Sequence, residues 1–425
     1  MFRSILSCSL IAAAIALNAQ TTVHQVVILN EGHYDFINQV QDVPVSLGSY
    51  DPATGIYTEM VTIPYARFGN GVVVQNEVVY VSADSFLLKY DANTFALLDQ
   101  EVVTGLRRIA IWNDQVLLTR GEVGGLSHYF EARDKNTFDF LYSIDPADGL
   151  IHSCEAVEVV DDKAYISVNN GFDWPNYDNK VGVIDLVAGT YGTEIDLGPD
   201  GYNPENLMVV GDKVYAFNNK DFTGSSISRI DLTNGTLDHT HNVALSSGCG
   251  ASVATTDHIY YLEYAVNQLA RYDLGTGAVL DTLNNGLVAY GTLNDPVNNL
   301  LYVTTTDYLT TGELFVTQYD GTVIGNTAIG VSAGKLALDL RSSTGITEPI
   351  VIDARLIPTN AIDQVTVQGV PAKTIYQVID AAGRSAATGS LAMDLRLDVH
   401  ALVAGSYRVR FILEDRTITL PLVKE

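Results

Sequence analysis

The chain has 425 residues, with 24 Lys or Arg against 50 Asp or Glu and a formal net charge of −26. So acidic a surface repels nucleic acid and anionic lipid, which excludes both as partners. One hydrophobic core stops growing at ~250 to 300 residues, so two domains or a repeat architecture is expected.

Residues 1–20, "MFRSILSCSLIAAAIALNAQ", place Arg3 before an apolar run and end in small residues around Ala19, the pattern of a cleaved export signal. The mature chain then starts near Gln20 or Thr21, and losing Arg3 takes the balance to 23 basic against 50 acidic, or −27. "ILSC" at Ile5 to Cys8 is a weak lipoprotein box, because too little apolar sequence precedes Cys8. No later segment reaches the ~18 to 20 apolar residues of a membrane span, so none is expected.

From Val26 onward one phrase recurs: "VVILNEGH" (Val26), "VVYVSADS" (Val78), "QVLLTRGE" (Gln115), "KAYISVNN" (Lys163), "KVYAFNNK" (Lys213), "HIYYLEYA" (His258) and "LLYVTTTD" (Leu300). A second phrase follows each copy, an aromatic or apolar residue and then an aspartate opening a turn: Asp51, Asp91, Asp134, Asp185, Asp231, Asp273 and Asp320. Their separations are 40, 43, 51, 46, 42 and 47 residues. A period near 45 with β-rich segments and Gly/Asn/Asp turns is the signature of a propeller blade. Each unit reads as strand A, a tight turn, strand B, a loop, strand C, the Asp turn and strand D. The expected fold is all-β, a seven-bladed β-propeller over 21–341.

The first unit starts at strand B, and a lone A-like segment, "GKLALDLR" from Gly334, follows the last complete unit. The two chain ends are therefore expected to pair and close the ring, leaving no long exposed edge.

Antiparallel connectivity puts the tight A–B and C–D turns on one face. The other face receives the B–C loops and the starts of strand A, which differ in every blade and carry amides, charges and aromatics. Expected ligand-binding residues from the loops are Asn30, Glu31, His33, Tyr34, Asn169, Asn170, Phe172, Trp174, Asn219, Phe222, Tyr264 and Tyr308, with Asp84 and Arg120 as further candidates. The strand A starts add Arg107, Glu155, Asn206 and Tyr290, beside Arg108 and Glu205. Aromatics beside amides suit a polar organic ligand with flat apolar surfaces. Asn169 and Asn170 have the alternative of capping their own loop, and Phe172 and Trp174 that of packing beneath it. Neighbours on a strand face opposite ways, so only one of Arg107 and Arg108 is expected to reach the mouth, with a salt bridge to Glu155 or Glu205 the alternative.

No H-E-x-x-H, G-x-S-x-G or phosphate loop is present, so no catalytic residue, metal or cofactor is assigned. His239 and His241 share a strand face, but on an outer strand without a third ligand. The regular Asp turns argue for hairpin chemistry rather than calcium. Cys154 and Cys249 start strand A in non-adjacent blades and are expected as buried thiols.

After Arg341, "SSTGITEPIVID" reads as a linker over 342–352. The alternating strands of 353–425 predict a small Ig-like antiparallel β-sandwich. With Asp380 and Gly383 in "IDAAGR", and Leu402, Gly405 and Tyr407 in "ALVAGSYRVRF", this tail resembles the C-terminal sorting domain of type IX secretion cargo. Its opening "IPTNA" keeps Pro358 but lacks that family's second proline. The resemblance implies export through the periplasm and across the outer membrane, with the type IX machinery as partner and a secreted or cell-surface location. An ordinary adhesive module is the alternative.

Through "VYVSAD", "AYISVNNG", "VGVIDLVAGT" and "VYAFNN" the repeat resembles the YncE-like seven-bladed family. "ILNEGHYDF" and "SYDPATG" are similar to surface propellers that capture cobalamin for outer-membrane transporters. The resemblance implies a corrinoid or similar cofactor as ligand and such a transporter as partner. A propeller enzyme, a lyase or hydrolase with His33, Glu155 and Arg107 near the axis, and a protein-binding platform are the rival expectations.

Overall fold

The structure, a computed structural model, describes residues 20–246, 251–343, 354–413 and 417–425. The expected export signal other than Gln20, most of the expected linker, and Cys249 lie outside the described residues. The chain forms two compact units, one over 21–342 and another beginning at 343.

The first unit is a seven-bladed β-propeller. Blades 2 to 7 each take four consecutive strands in the order A, B, C, D. Blade 4 is typical, with strands Cys154–Val160, Lys163–Val168, Lys180–Asp185 and Thr190–Asp196. The recurring phrase is strand B in every blade, where alternate Val, Ile, Leu and Tyr side chains reach opposite faces of the sheet. Both faces of each sheet pack on a neighbour, so seven apolar clusters fill the seven gaps of the ring. Each recurring aspartate closes its C–D hairpin as an Asx-turn, its carboxylate accepting from a backbone N–H two or three residues on.

Blade 1 is the exception in chain order. Its strand A is Ala333–Ser343, its strand B Gln20–Asn30, and Val45–Asp51 and Ile56–Ile63 complete it. Thr22 meets Arg341, and the Glu31 amide meets the Ser332 carbonyl, so the two ends of this unit run antiparallel as the sequence predicts. A buried clasp holds them: Gln25 Nε2 donates to Asp339 Oδ2 at 2.9 Å, and Arg341 Nη2 donates to the same oxygen at 2.7 Å. Gln25 also donates to the Ala92 carbonyl and Arg341 to Asn93, tying the seam to the C–D turn of blade 2.

Two features positioning the site are not in the sequence reading. The B–C loop of blade 1 folds into its own hairpin, His33–Asp35 against Val40–Val43. In blades 2 to 5 strand A carries a β-bulge at its start, between Gly69 and Gly71, Leu106 and Ile109, Cys154 and Val157, and Pro204 and Asn206. Strand B hydroxyls fasten these starts to the preceding blade, Ser82 donating to the Arg107 carbonyl and Thr119 to that of Glu155.

The second unit packs a three-stranded sheet (Arg355–Ile357, Gln364–Gln368, Arg396–Asp398) on a five-stranded one over Val367, Val409 and Phe411. This is an antiparallel sandwich apart from one short parallel pairing, Asn360–Ala361 with the final strand. Asp380 accepts from the amides of Ala382 and Arg384, and Tyr407 donates to the Val403 carbonyl. No helix among the described residues is long and apolar enough to cross a membrane.

Asp339 is 1% exposed, so losing it strands Arg341 and Gln25 at the seam. Asp339→Ala is expected to lower the unfolding free energy by about 3 kcal/mol, read from urea denaturation. A loss under about 0.5 kcal/mol would show that the ring does not depend on the clasp.

Candidate functional site

The variable-loop face opens into a cavity of about 820 Å³ on the ring axis. Six ionisable side chains from four blades meet there: Glu31 and Lys335 of blade 1, Arg107 and Arg108 of blade 3, Glu155 of blade 4 and Glu205 of blade 5.

Both arginines reach the cavity, which corrects the expectation that only one could. The bulge between Leu106 and Ile109 breaks the strand's alternation and turns both side chains to one side. Arg107 Nε donates to Glu155 Oε2 at 2.7 Å, Arg108 Nε lies 3.4 Å from Glu155 Oε1, and Arg108 Nη1 also donates to the Asn70 carbonyl. Phe172 lies over the Arg107 guanidinium at 5.2 Å. Gly121 makes room for that ring, since a Cβ there would stand 2.5 Å from Phe172 Cε2.

The carboxyls differ in ionisation. Burial works against the Glu155 charge, but Arg107, Arg108 and Lys335 outweigh it and hold its carboxyl below the usual range. Burial, and then the Glu155 charge, push Glu205 up to about 8, despite the hydrogen bond from Asn219. Burial also raises Glu31, against the pull of Lys335 and a hydrogen bond from Tyr290. One cavity therefore holds an ionised carboxylate and a protonated carboxylic acid at neutral pH, a proton acceptor and a donor.

Aromatic pairs rim the cavity. Tyr34 meets Phe36 edge-on at 4.9 Å between centroids, Tyr290 meets Tyr308 at 5.3 Å, and Phe222 meets Tyr177 at 6.1 Å. His33 lines the wall from the blade 1 hairpin, paired with Asp42 at 3.1 Å. Asn169 lines it too, donating to Asn203 and accepting from the Gly171 amide, so it caps its loop as well as facing the cavity. Asn206 lines the wall and bridges to Ser252 of blade 6.

Five expected residues lie outside the cavity wall. Asn30 is buried behind it, donating to Ser46 Oγ and Tyr57. Asn219 is buried one layer back, where its Nδ2 supports Glu205 Oε2 at 2.9 Å. Asn170 adopts a left-handed backbone (φ 50°) and donates to the Asn176 carbonyl, within its own loop. Trp174 is 72% exposed and Tyr264 57%, both beyond the rim. Of the further candidates, Asp84 is engaged by Arg67 at 2.6 Å, and Arg120 is buried against Glu131.

Lys335, Tyr177 and Glu158 were not singled out in the sequence. Lys335 had a signal: "AGKL" aligns with "GLRR", "SCEA" and "NPEN", each putting an ionisable residue at the start of strand A. Elsewhere, His239 and His241 stack at 4.0 Å with His241 Nδ1 on the Tyr272 hydroxyl, and no cluster of three metal-ligating side chains occurs among the described residues. The Cys154 thiol is buried and pushed well up by that burial.

No protein-family pattern matches the sequence, and no curated protein does. Solved structures match in fold. A functionally unknown protein from Desulfotomaculum acetoxidans shares 13% identity at a TM-score of 0.55, over 74% of this chain and 98% of that one. Apo AztD from Citrobacter koseri shares 10% identity at a TM-score of 0.48, over 76% and 99%. BamB from Moraxella catarrhalis shares 14% at 0.43, over 69% and 84%.

A carboxyl whose folded pKa is raised binds its proton more tightly in the native state. Its contribution to stability is present below the ordinary carboxylate pKa and is lost as pH rises through the folded value, here toward about 8. Urea denaturation should thus show stability falling between pH 5 and pH 8, with Glu205→Gln flattening the slope. An unchanged slope would mean that Glu205 is ionised at neutral pH.

Proposed function

We propose that the protein is an exported, non-catalytic β-propeller that captures a small organic anion in its central cavity. The observation that carries this is the charge balance on the axis. With Glu205 protonated, the three cations Arg107, Arg108 and Lys335 outnumber the two remaining carboxyls of the cluster, Glu31 and Glu155, so a ligand carboxylate or phosphate completes the set. The aromatic rim supports a ligand with a flat apolar part. The volume, within the usual range for small-molecule sites, supports a preformed pocket.

The likeness of "ILNEGHYDF" and "SYDPATG" to cobalamin-capturing, YncE-like propellers adds a corrinoid as the specific candidate. A corrinoid is larger than the drug-sized ligands such a cavity encloses, so it would lie across the rim with one polar edge at the cations. An outer-membrane transporter would then be the receiving partner. Export rests on residues 1–20 and on the tail. The tail's Asp380–Gly383 hairpin and Tyr407 strand support reading it as a type IX sorting domain, which gives a secreted or cell-surface location.

A second reading, an enzyme using acid–base chemistry, is favoured by one observation. Glu155 and Glu205 are pushed to opposite protonation states in one cavity, the arrangement that divides acid and base roles. The protein-binding platform loses ground, because the exposed aromatics border a concave pocket rather than a flat patch.

The test is a thermal-shift and calorimetric screen of the full chain against aromatic carboxylates, organic phosphates and corrinoids. Arg108→Gln should weaken a ligand so found by about tenfold to a hundredfold, and Trp174→Ala should leave its affinity unchanged. The reverse pattern would remove the site from the axis. Turnover of a bound compound, abolished by Glu205→Gln, would favour the enzyme.

A further inference from the structure

Glu158 lies at the cavity floor on the same strand as Glu155, three residues nearer the opposite face. Strand rise puts the two ~10 Å apart along the axis, less what the bulge takes up. Its surroundings differ from those of the upper cluster. Val72, Val73, Ile109, Val157 and Leu336 line this depth, and the residues paired at Glu158's level of strand A in other blades are Val73, Ala110, Met208, Val253 and Leu293. Glu158 is thus a carboxyl in an apolar tier.

It also stands alone. Glu31, Glu155 and Glu205 each have hydrogen-bonding or charged neighbours, but Glu158 meets no donor and no cation among the described residues, and burial alone pushes it up to about 7. A half-buried acid without a partner costs stability, and an apolar residue at this level would remove that cost, as it does in five other blades. The cavity reaches the carboxyl, so a ligand can supply what the protein does not.

We propose that Glu158 is the floor anchor of the site, receiving the ammonium end of an elongated dipolar ligand whose carboxylate sits at Arg107, Arg108 and Lys335. This rests on the anion reading above and narrows it to molecules of the ω-amino acid or short-peptide class. The apolar wall between the two charged levels accommodates the spacer. The upper cations attract the carboxylate and repel the ammonium, so the bound ligand is held in one orientation.

The test is calorimetric titration of the full chain with 6-aminohexanoate, hexanoate and hexylamine, three charge forms of one chain length. Wild type should bind 6-aminohexanoate at least about tenfold more tightly than hexanoate. Glu158→Gln should erase that preference and keep hexanoate affinity, with a melting temperature no lower than wild type. Glu158→Leu, which continues the apolar tier, should behave alike and serves if the amide is misfolded. Equal wild-type affinity for 6-aminohexanoate and hexanoate overturns the floor anchor and leaves the anion site standing. Binding of neither carboxylate overturns the ligand reading and the anchor with it.

Discussion

Ring closure is the constraint on which the rest of the molecule depends. A propeller blade is apolar on both faces, so each of the seven gaps is filled only when every blade has two neighbours. The last gap, where Val26 and Ile28 meet Tyr302 and Leu314, is sealed only because residues from opposite ends of the unit share one sheet. The Gln25–Asp339–Arg341 clasp puts charged groups at that seam, where mispairing by one residue would bury them without partners.

The candidate site inherits that dependence. The six ionisable groups clustered at its upper level are spread from residue 31 to residue 335 and meet only because closed blades point the starts of their A strands at one axis. Strand B hydroxyls fix the height of those starts, and bulges choose which side chains face inward. Gly334 shows how tight the convergence is, since any Cβ there would collide with the Glu31 carboxyl. Burying so many charges is tolerable because most are matched, Arg107 and Arg108 on Glu155 above all. Where burial outweighs the neighbouring charges, at Glu31, Glu205 and Glu158, the carboxyl is pushed toward its protonated form instead.

Much of the fold was legible in the sequence because a blade is a local pattern. The strand B phrase, the turn aspartates and the displaced strand A segment at Gly334 give blade number, strand order and closure without any side-chain geometry. The site was legible only as a face. Arg107, Glu155, Asn206 and Tyr290 could be placed because the start of strand A points to the axis in every blade. The salt bridge to Glu155 was open to the sequence as well, but that Arg108 reaches the cavity beside Arg107 was not, because a bulge overrides strict alternation and leaves no mark in residue type. Loop residues fared less evenly: Phe172 turns inward onto Arg107, while Trp174, two positions on, faces solvent. Asn219 looked like a contact residue and is a support for one. Glu158 was hidden in "CEAVEVV", where it reads as ordinary strand alternation, and only its missing partners set it apart.

The most direct test of the central claim, that the axis of the propeller is a built site for a charged small molecule, is a crystal structure of the full chain soaked with a mixture of organic acids and amino acids. The account predicts density inside the ring, with an acidic group against Arg108 and Lys335 beneath the Tyr290–Tyr308 rim. Density confined to the outer strands, or an axis holding only water at high ligand concentration, would contradict it.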